Sequence, residues 1–96
     1  MSTQNKNGNK PVATLRDGAI KATIWRNEVK TDGKANVFFS VDISRTYQDE
    51  NDQYHDTHSF SGGQLLQVSR MAQKAYDRLV KLRLIEKLNE EDEGAQ

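Results

Sequence analysis

Residues 12–27 read VATLRDGAIKATIWRN, and this stretch decides the fold. Two short runs flank Asp17-Gly18, and an Asp-Gly pair between alternating segments is a strong hairpin signal. With Asp17-Gly18 as the loop, Arg16 faces Ala19, Leu15 faces Ile20, Thr14 faces Lys21, Ala13 faces Ala22 and Val12 faces Thr23. Cross-strand partners share a face of the sheet. One face therefore collects Leu15, Ile20, Ala13, Ala22 and Ile24, all apolar. The other collects Thr14, Arg16, Lys21, Thr23 and Trp25, with Val12 as the exception. Both strands sort the same way, which fixes the two faces.

Outward from this hairpin, Asp32-Gly33 marks a second turn and residues 36–47 form a long third strand. Val37, Phe39, Val41 and Ile43 alternate as its core face, and Phe38, Ser40, Asp42 and Ser44 point the other way. Strict alternation carries Arg45 and Tyr47 to the core face as well. A bulge, or a strand running past the core, would return both to solvent. Residues 49–53 form a polar turn and residues 54–60 a fourth strand.

A helix follows. Ser61 is placed as its N-cap, and Gln64 three residues later completes a capping box, with Phe60 stapling the first turn. Leu65, Val68, Ala72, Ala75, Tyr76, Leu79 and Leu82 make an apolar stripe, widened by Leu66, Met71, Val80, Leu84, Ile85 and Leu88. From residue 61 to about residue 89 it spans roughly 40–45 Å at 1.5 Å per residue. A strand of usual length is about half that. The expected fold is α+β, a four-stranded antiparallel sheet followed by one long C-terminal helix. The expected organisation is a polar arm over residues 1–10, one domain over 11–89 and an acidic disordered tail over 90–96. A helix longer than its sheet leaves apolar surface, so a homodimer through the C-terminal helix is expected.

Composition bounds the function. Of 96 residues 34% are hydrophobic and none is cysteine, so neither a large core nor disulfides can carry the fold. The absence of cysteine fits a cytoplasmic setting. No apolar run reaches about 18 residues, and the first ten residues lack an apolar signal segment. Fourteen basic residues balance fourteen acidic ones. Within residues 16–47, however, Arg16, Lys21, Arg26, Lys30, Lys34 and Arg45 stand against Asp17, Glu28, Asp32 and Asp42, a local excess of two.

Catalytic and metal chemistry find no support. His55 and His58 are the only histidines, and three residues apart on a strand they point to opposite faces. No nucleophile elbow or phosphate-binding lysine loop accompanies Ser59, Ser61, Gly62 and Gly63, which read as a strand-to-helix junction. No enzyme activity, metal or cofactor is expected. The helical cations, Arg70, Lys74, Arg78, Lys81, Arg83 and Lys87, read as a solvated face linked to Asp77 and Glu86.

What remains is a binding surface. Trp25 beside Lys21 and Arg26, with Phe38 on the adjoining strand, offers stacking platforms among cations. Packing at a dimer interface or under the helix is the competing role for Trp25. The expected nucleic-acid-binding set is Arg16, Lys21, Trp25, Arg26, Lys34, Phe38, Arg45 and Tyr47.

The order of elements, together with VDISRTYQD at 41–49 and HSFSGGQLLQVSR at 58–70, resembles the transcriptional positive cofactor four family and its Whirly relatives. Val41, Asp42, Ile43, Tyr47 and Asp49 match its strand pattern, and residues 59–64 match its helix-opening segment. The stretch RDGAIKATIWRNE at 16–28 looks like small phage and bacterial members. The resemblance implies a homodimer with paired helices and a groove for single-stranded DNA, with Tyr47 inheriting a stacking role. The expectation is a sequence-tolerant single-stranded DNA-binding protein, coactivator-like, serving transcription or replication in a bacterial or phage-infected cytoplasm. The same surface would read RNA. The alternative is a protein-interaction module or transcriptional cofactor that meets a protein partner through helix or sheet.

Overall fold

The computed structural model describes residues 11–94, so the expected N-terminal arm lies outside the described residues. Four strands precede one helix: β1 (Pro11–Asp17), β2 (Ile20–Thr31), β3 (Lys34–Gln48), β4 (Tyr54–Thr57) and α1 (Gln64–Gly94). The strands form one antiparallel sheet in the order β1-β2-β3-β4. The expected α+β fold is the observed one.

The first turn sits one residue later than expected. Gly18 has φ +61° and Ala19 does not take positive φ, so the loop is Gly18-Ala19, with glycine at the first central position. Arg16 consequently pairs with Lys21 and Leu15 with Ala22. Moving the turn by one residue shifts every partner by two, and a period of two leaves the faces unchanged. The second loop, Asp32-Gly33, takes positive φ at both positions, 54° and 79°, as a tight hairpin turn with this twist requires. The register shift in β1 falls between Pro11 and Ala13, which makes Val12 the extra residue and explains why it alone broke the hairpin pattern.

The core lies between β2 and α1. Ile20, Ala22 and Ile24 project from alternate positions of β2 against Met71, Ala75 and Leu79 of the helix, and these six are the buried hydrophobic residues. Ala13, Leu15, Phe39, Ile43, Phe60, Val68 and Leu82 close around them. Met71, expected at the margin of the helical stripe, is therefore central. Leu65, Ala72 and Tyr76, expected within it, lie on an uncovered flank.

The helix begins at Gln64, where the Gln64 side-chain Oε1 accepts from the Ser61 N–H at 2.9 Å, the returning half of the expected capping box. It continues to Gly94, so residues 90–94 are helical and not a disordered tail. No proline or glycine interrupts the chain between Gln64 and Asn89 or over the acidic residues beyond, until Gly94 itself. No described helix is long and apolar enough to cross a membrane.

Farther along, β2 and β3 outrun β1, whose pairing stops at Trp25. Arg26 anchors this extension to the helix. Its Nε and Nη2 donate to Oε1 and Oε2 of Glu86 at 3.0 and 2.9 Å, a two-pronged pair, and Nη1 reaches Glu28 at 3.3 Å. The molecule is drawn out, 57 × 26 × 17 Å, with a radius of gyration of 16.4 Å where a compact chain of this length would have about 12 Å.

Glu86 is held below the usual carboxylate range, first by the Arg26 hydrogen bond and then by the guanidinium charge. A depressed folded-state pKa stabilises the fold above the unfolded value and loses that contribution as pH falls through the folded one. Stability therefore drops below about pH 4.5, the ordinary glutamate range. Glu86→Gln should lower stability at pH 7 by about 1 kcal/mol, because the pair is partly exposed. The same variant should flatten the acid limb of a urea-denaturation series taken between neutral pH and the acid range.

Candidate nucleic-acid interface

The helix covers one face of the sheet and leaves the other open. Pairing assigns side chains to each. Odd positions of β2 and even positions of β3 share the open face: Lys21 with Ser44, Thr23 with Asp42, Trp25 with Ser40, Asn27 with Phe38. Arg16 and Thr14 join them from β1, and Tyr54 and Asp56 from β4.

Trp25 is the centre of this surface. It is half-buried with no helix over it, and its indole Nε1 donates to Asp42 Oδ2 at 3.2 Å. Phe38 is its diagonal neighbour and remains 52% exposed. Asn27 stands between them, its amide donating to Ser40 Oγ at 3.1 Å. Two aromatic side chains flanked by an amide and a hydroxyl form a platform suited to stacking, with polar groups at its margin. Asn27 was missed in the sequence reading, although its odd position in β2 assigns it to Trp25's face.

The cations are more constrained than the aromatic pair. Lys21 Nζ lies 3.0 Å from Asp56 Oδ2, and Thr46 Oγ1 donates to the other oxygen of Asp56 at 2.9 Å. These contacts, Lys21's first, hold the Asp56 carboxyl below its ordinary range. Among strand residues, the face carries Arg16, Lys21 and Lys34 against Asp42 and Asp56, an excess of one. Lys34 sits at the hairpin tip, six residues along β3 from Ser40. At about 3.3 Å per residue it is about 20 Å from the Trp25 row.

Three expected members of the set lie elsewhere. Arg26 occupies an even position of β2, on the helix side, and is engaged by Glu86 and Glu28. It ties helix to sheet and does not join the open face. Arg45 and Tyr47 also project on the helix side, because β3 keeps an unbroken register from Lys34 to Gln48 with no bulge. They lie past the core, where Arg45 Nε donates to the Ser59 carbonyl at 3.1 Å. The Arg45 guanidinium stands 5.6 Å from the Tyr47 ring centre, and Tyr47 stacks on His55 at 5.3 Å. His55 Nε2 meets Asp49 Oδ2 at 2.7 Å, while Asp49 Oδ1 accepts from the N–H groups of Asn51 and Gln53. The loop N–H of Gln53 first, and His55 next, hold Asp49 below the carboxylate range. Asp49 thus organises the β3–β4 turn, and Tyr47 completes a small cluster on the opposite face from Trp25.

The expected links between Glu86 and the helical cations are replaced by its pairing with Arg26. His58 turns from His55 and meets the Ile43 carbonyl at 2.8 Å through Nδ1. Among the described residues, no group of three or more histidine, cysteine, aspartate or glutamate side chains could hold a metal ion.

The Trp25–Asp42 contact should be measurable by itself. Trp25→Phe keeps a ring and removes the donor, and should cost about 1 kcal/mol in urea denaturation. Asp42→Asn retains an accepting oxygen and should cost less than Trp25→Phe.

No family model, curated protein or solved structure matches the chain.

Proposed function

We propose that the protein is a dimeric, sequence-tolerant single-stranded DNA-binding protein that holds the strand on the helix-free face of its sheet. The observation that carries this reading is that Trp25 and Phe38 are diagonal neighbours on a face that no other described element covers. Bases stack on the two rings, and Arg16, Lys21 and Lys34 meet the phosphates. Asn27 and Ser40 supply hydrogen bonds at the platform's edge. Asp42 holds the indole and opposes phosphate, which keeps affinity modest. Stacking reads any base, so RNA competes for the same surface. Arg26 does not take part, and Arg45 and Tyr47 serve the other face.

The resemblance to the positive cofactor four and Whirly families agrees with this reading in the order of elements. It suggests a small phage or bacterial member at work in the cytoplasm, in transcription or replication. The protein acts without catalysis or cofactor, and its helices lie together in the dimer. The drawn-out shape and the exposed helix flank support that pairing.

A second reading has its own observation. Leu66 is 75% exposed, and Leu84 and Leu88 are also exposed, on helix surface that faces away from the core. Exposed leucines there favour a protein partner, in which case oligonucleotide binding would be absent from wild type and Trp25→Ala alike.

Fluorescence anisotropy of labelled oligo-dT against a duplex of the same length separates the two. Binding should favour the single strand. Three phosphate contacts per protomer give a slope of log affinity on log salt of about −2. Trp25→Ala should weaken binding about tenfold or more, the loss of one stacking contact. Asp42→Asn should strengthen it. Equal affinity for duplex, or affinity indifferent to salt, would contradict the proposal.

A further inference from the structure

β3 has an open edge. It runs from Lys34 to Gln48, but β4 pairs only with Arg45, Thr46, Tyr47 and Gln48. On its outer side, residues 34–44 meet no described strand. The direction of the backbone groups follows from two contacts. The Ile43 carbonyl points outward, where His58 meets it, and the Thr46 N–H points inward to the Ala19 carbonyl at 2.9 Å. Alternation then turns the N–H and C=O of Val37, Phe39 and Val41 outward as well. Among the described residues none bonds them.

Natural sheets guard such edges with proline, bulges, charges or short strands. β1 carries both Pro11 and the bulge at Val12, and β4 has four residues. The exposed part of β3 has an unbroken register with β2, no proline, and apolar side chains at its outward-turned positions. One edge is blunted and the other is a template.

The apolar flank lies beside that same edge and on one side of it. Phe39, Val41, Ile43, Ala72 and Tyr76 line a groove of about 300 Å³ between β3 and the helix. Tyr76 is 61% exposed above it. The occupant must therefore bring a strand for the edge and, joined to it at a fixed offset, an apolar helix flank for the groove.

We propose that the occupant is a second copy of this chain, with β3 pairing antiparallel to its counterpart across a two-fold axis normal to the sheet. That axis alone among two-folds makes identical strands antiparallel and keeps both helices on one face. Two four-stranded sheets become one sheet of eight strands. The helices, each centred over β2, stand three strand spacings apart, about 14 Å. Direct helix contact is about 8–10 Å, so one layer of side chains fills the interval. Tyr76 and Val80 from each copy supply it. On the opposite face, the Trp25–Phe38 platforms of the two copies become parts of one continuous surface, with Phe38 on the strand next to the axis. The single-strand site is incomplete in one copy and complete in two.

This inference rests on the dimeric part of the proposed function and not on its ligand, so its test avoids nucleic acid. The chain has no cysteine, so single cysteines at positions 37–42 report pairing without background. Light scattering after gel filtration should give the mass of a dimer for wild type. Mild oxidation should cross-link the cysteine series with a maximum at one or two adjacent positions, those nearest the axis. Val41→Pro removes an outward N–H and leaves the β2 ladder intact, and should weaken the dimer tenfold or more. Val37→Lys, which places a charge on the edge, should do the same if the proline variant misfolds. A dimer that forms no cross-link and survives both substitutions would overturn edge pairing and leave pairing by helices alone. A monomeric wild type that still binds oligo-dT would overturn the dimer and spare the single-strand reading.

Discussion

The alternation of β2 is the constraint on which the rest depends. Ile20, Ala22 and Ile24 are fully buried under Met71, Ala75 and Leu79, and the intervening Lys21, Thr23 and Trp25 are thereby committed to the other face. A shift of one residue would bury the lysine and expose both isoleucines. The small residues matter as much as the large ones. Ala22 and Ala75 let the helix approach the sheet between the isoleucines, and a close approach is what gives so small a core its packing density. Beyond the apolar contact the same face continues at Arg26, where the two-pronged pair with Glu86 extends the helix's hold along the strand.

A consequence of one-sided coverage is a division of labour between faces. The helix side carries the core, the Arg26–Glu86 pair and the Arg45–Tyr47–His55 cluster. The open side carries Trp25, Phe38, Asn27 and Ser40, with cations whose charge is largely answered by Asp42 and Asp56. Such a surface is suited to a ligand held mainly by ring faces and only secondarily by charge. That agrees with a chain whose formal net charge is zero. The Asp42 contact tethers the Trp25 ring, and a tethered ring would lose less freedom on binding in the proposed role.

Much of this was legible in the sequence, because period two is robust. The hairpin turn was misplaced by one residue, yet the side chains from Ala13 to Arg16 and from Ile20 to Trp25 fell on their correct faces, since the partners moved in steps of two. The helix start was readable from Ser61 and Gln64. Arg26 was misjudged because its charge was weighed above its position: it shares parity with Ile24, and parity prevailed once Glu86 was there to receive it. Arg45 and Tyr47 could join the open face only through a bulge, which β3 lacks; of the two alternatives the strand running past the core is the one observed. The open edge of β3 was not legible at all. It depends on where β4 stops, and β4 ends at Thr57 because the chain turns back so that His58 and Ser59 meet the Ile43 carbonyl and the Arg45 side chain. Those contacts join distant residues and leave no periodic trace.

The central claim is that the helix-free face is the binding face. Amide NMR of the labelled protein titrated with oligo-dT tests it most directly, because adjacent strand residues report opposite faces. The largest perturbations should fall on Trp25 (backbone and indole N–H), Asn27, Phe38 and Ser40, with Arg26, Tyr47 and His55 little changed. Perturbations centred on Tyr47 and His55, or on the helix, with Trp25 unmoved, would contradict it.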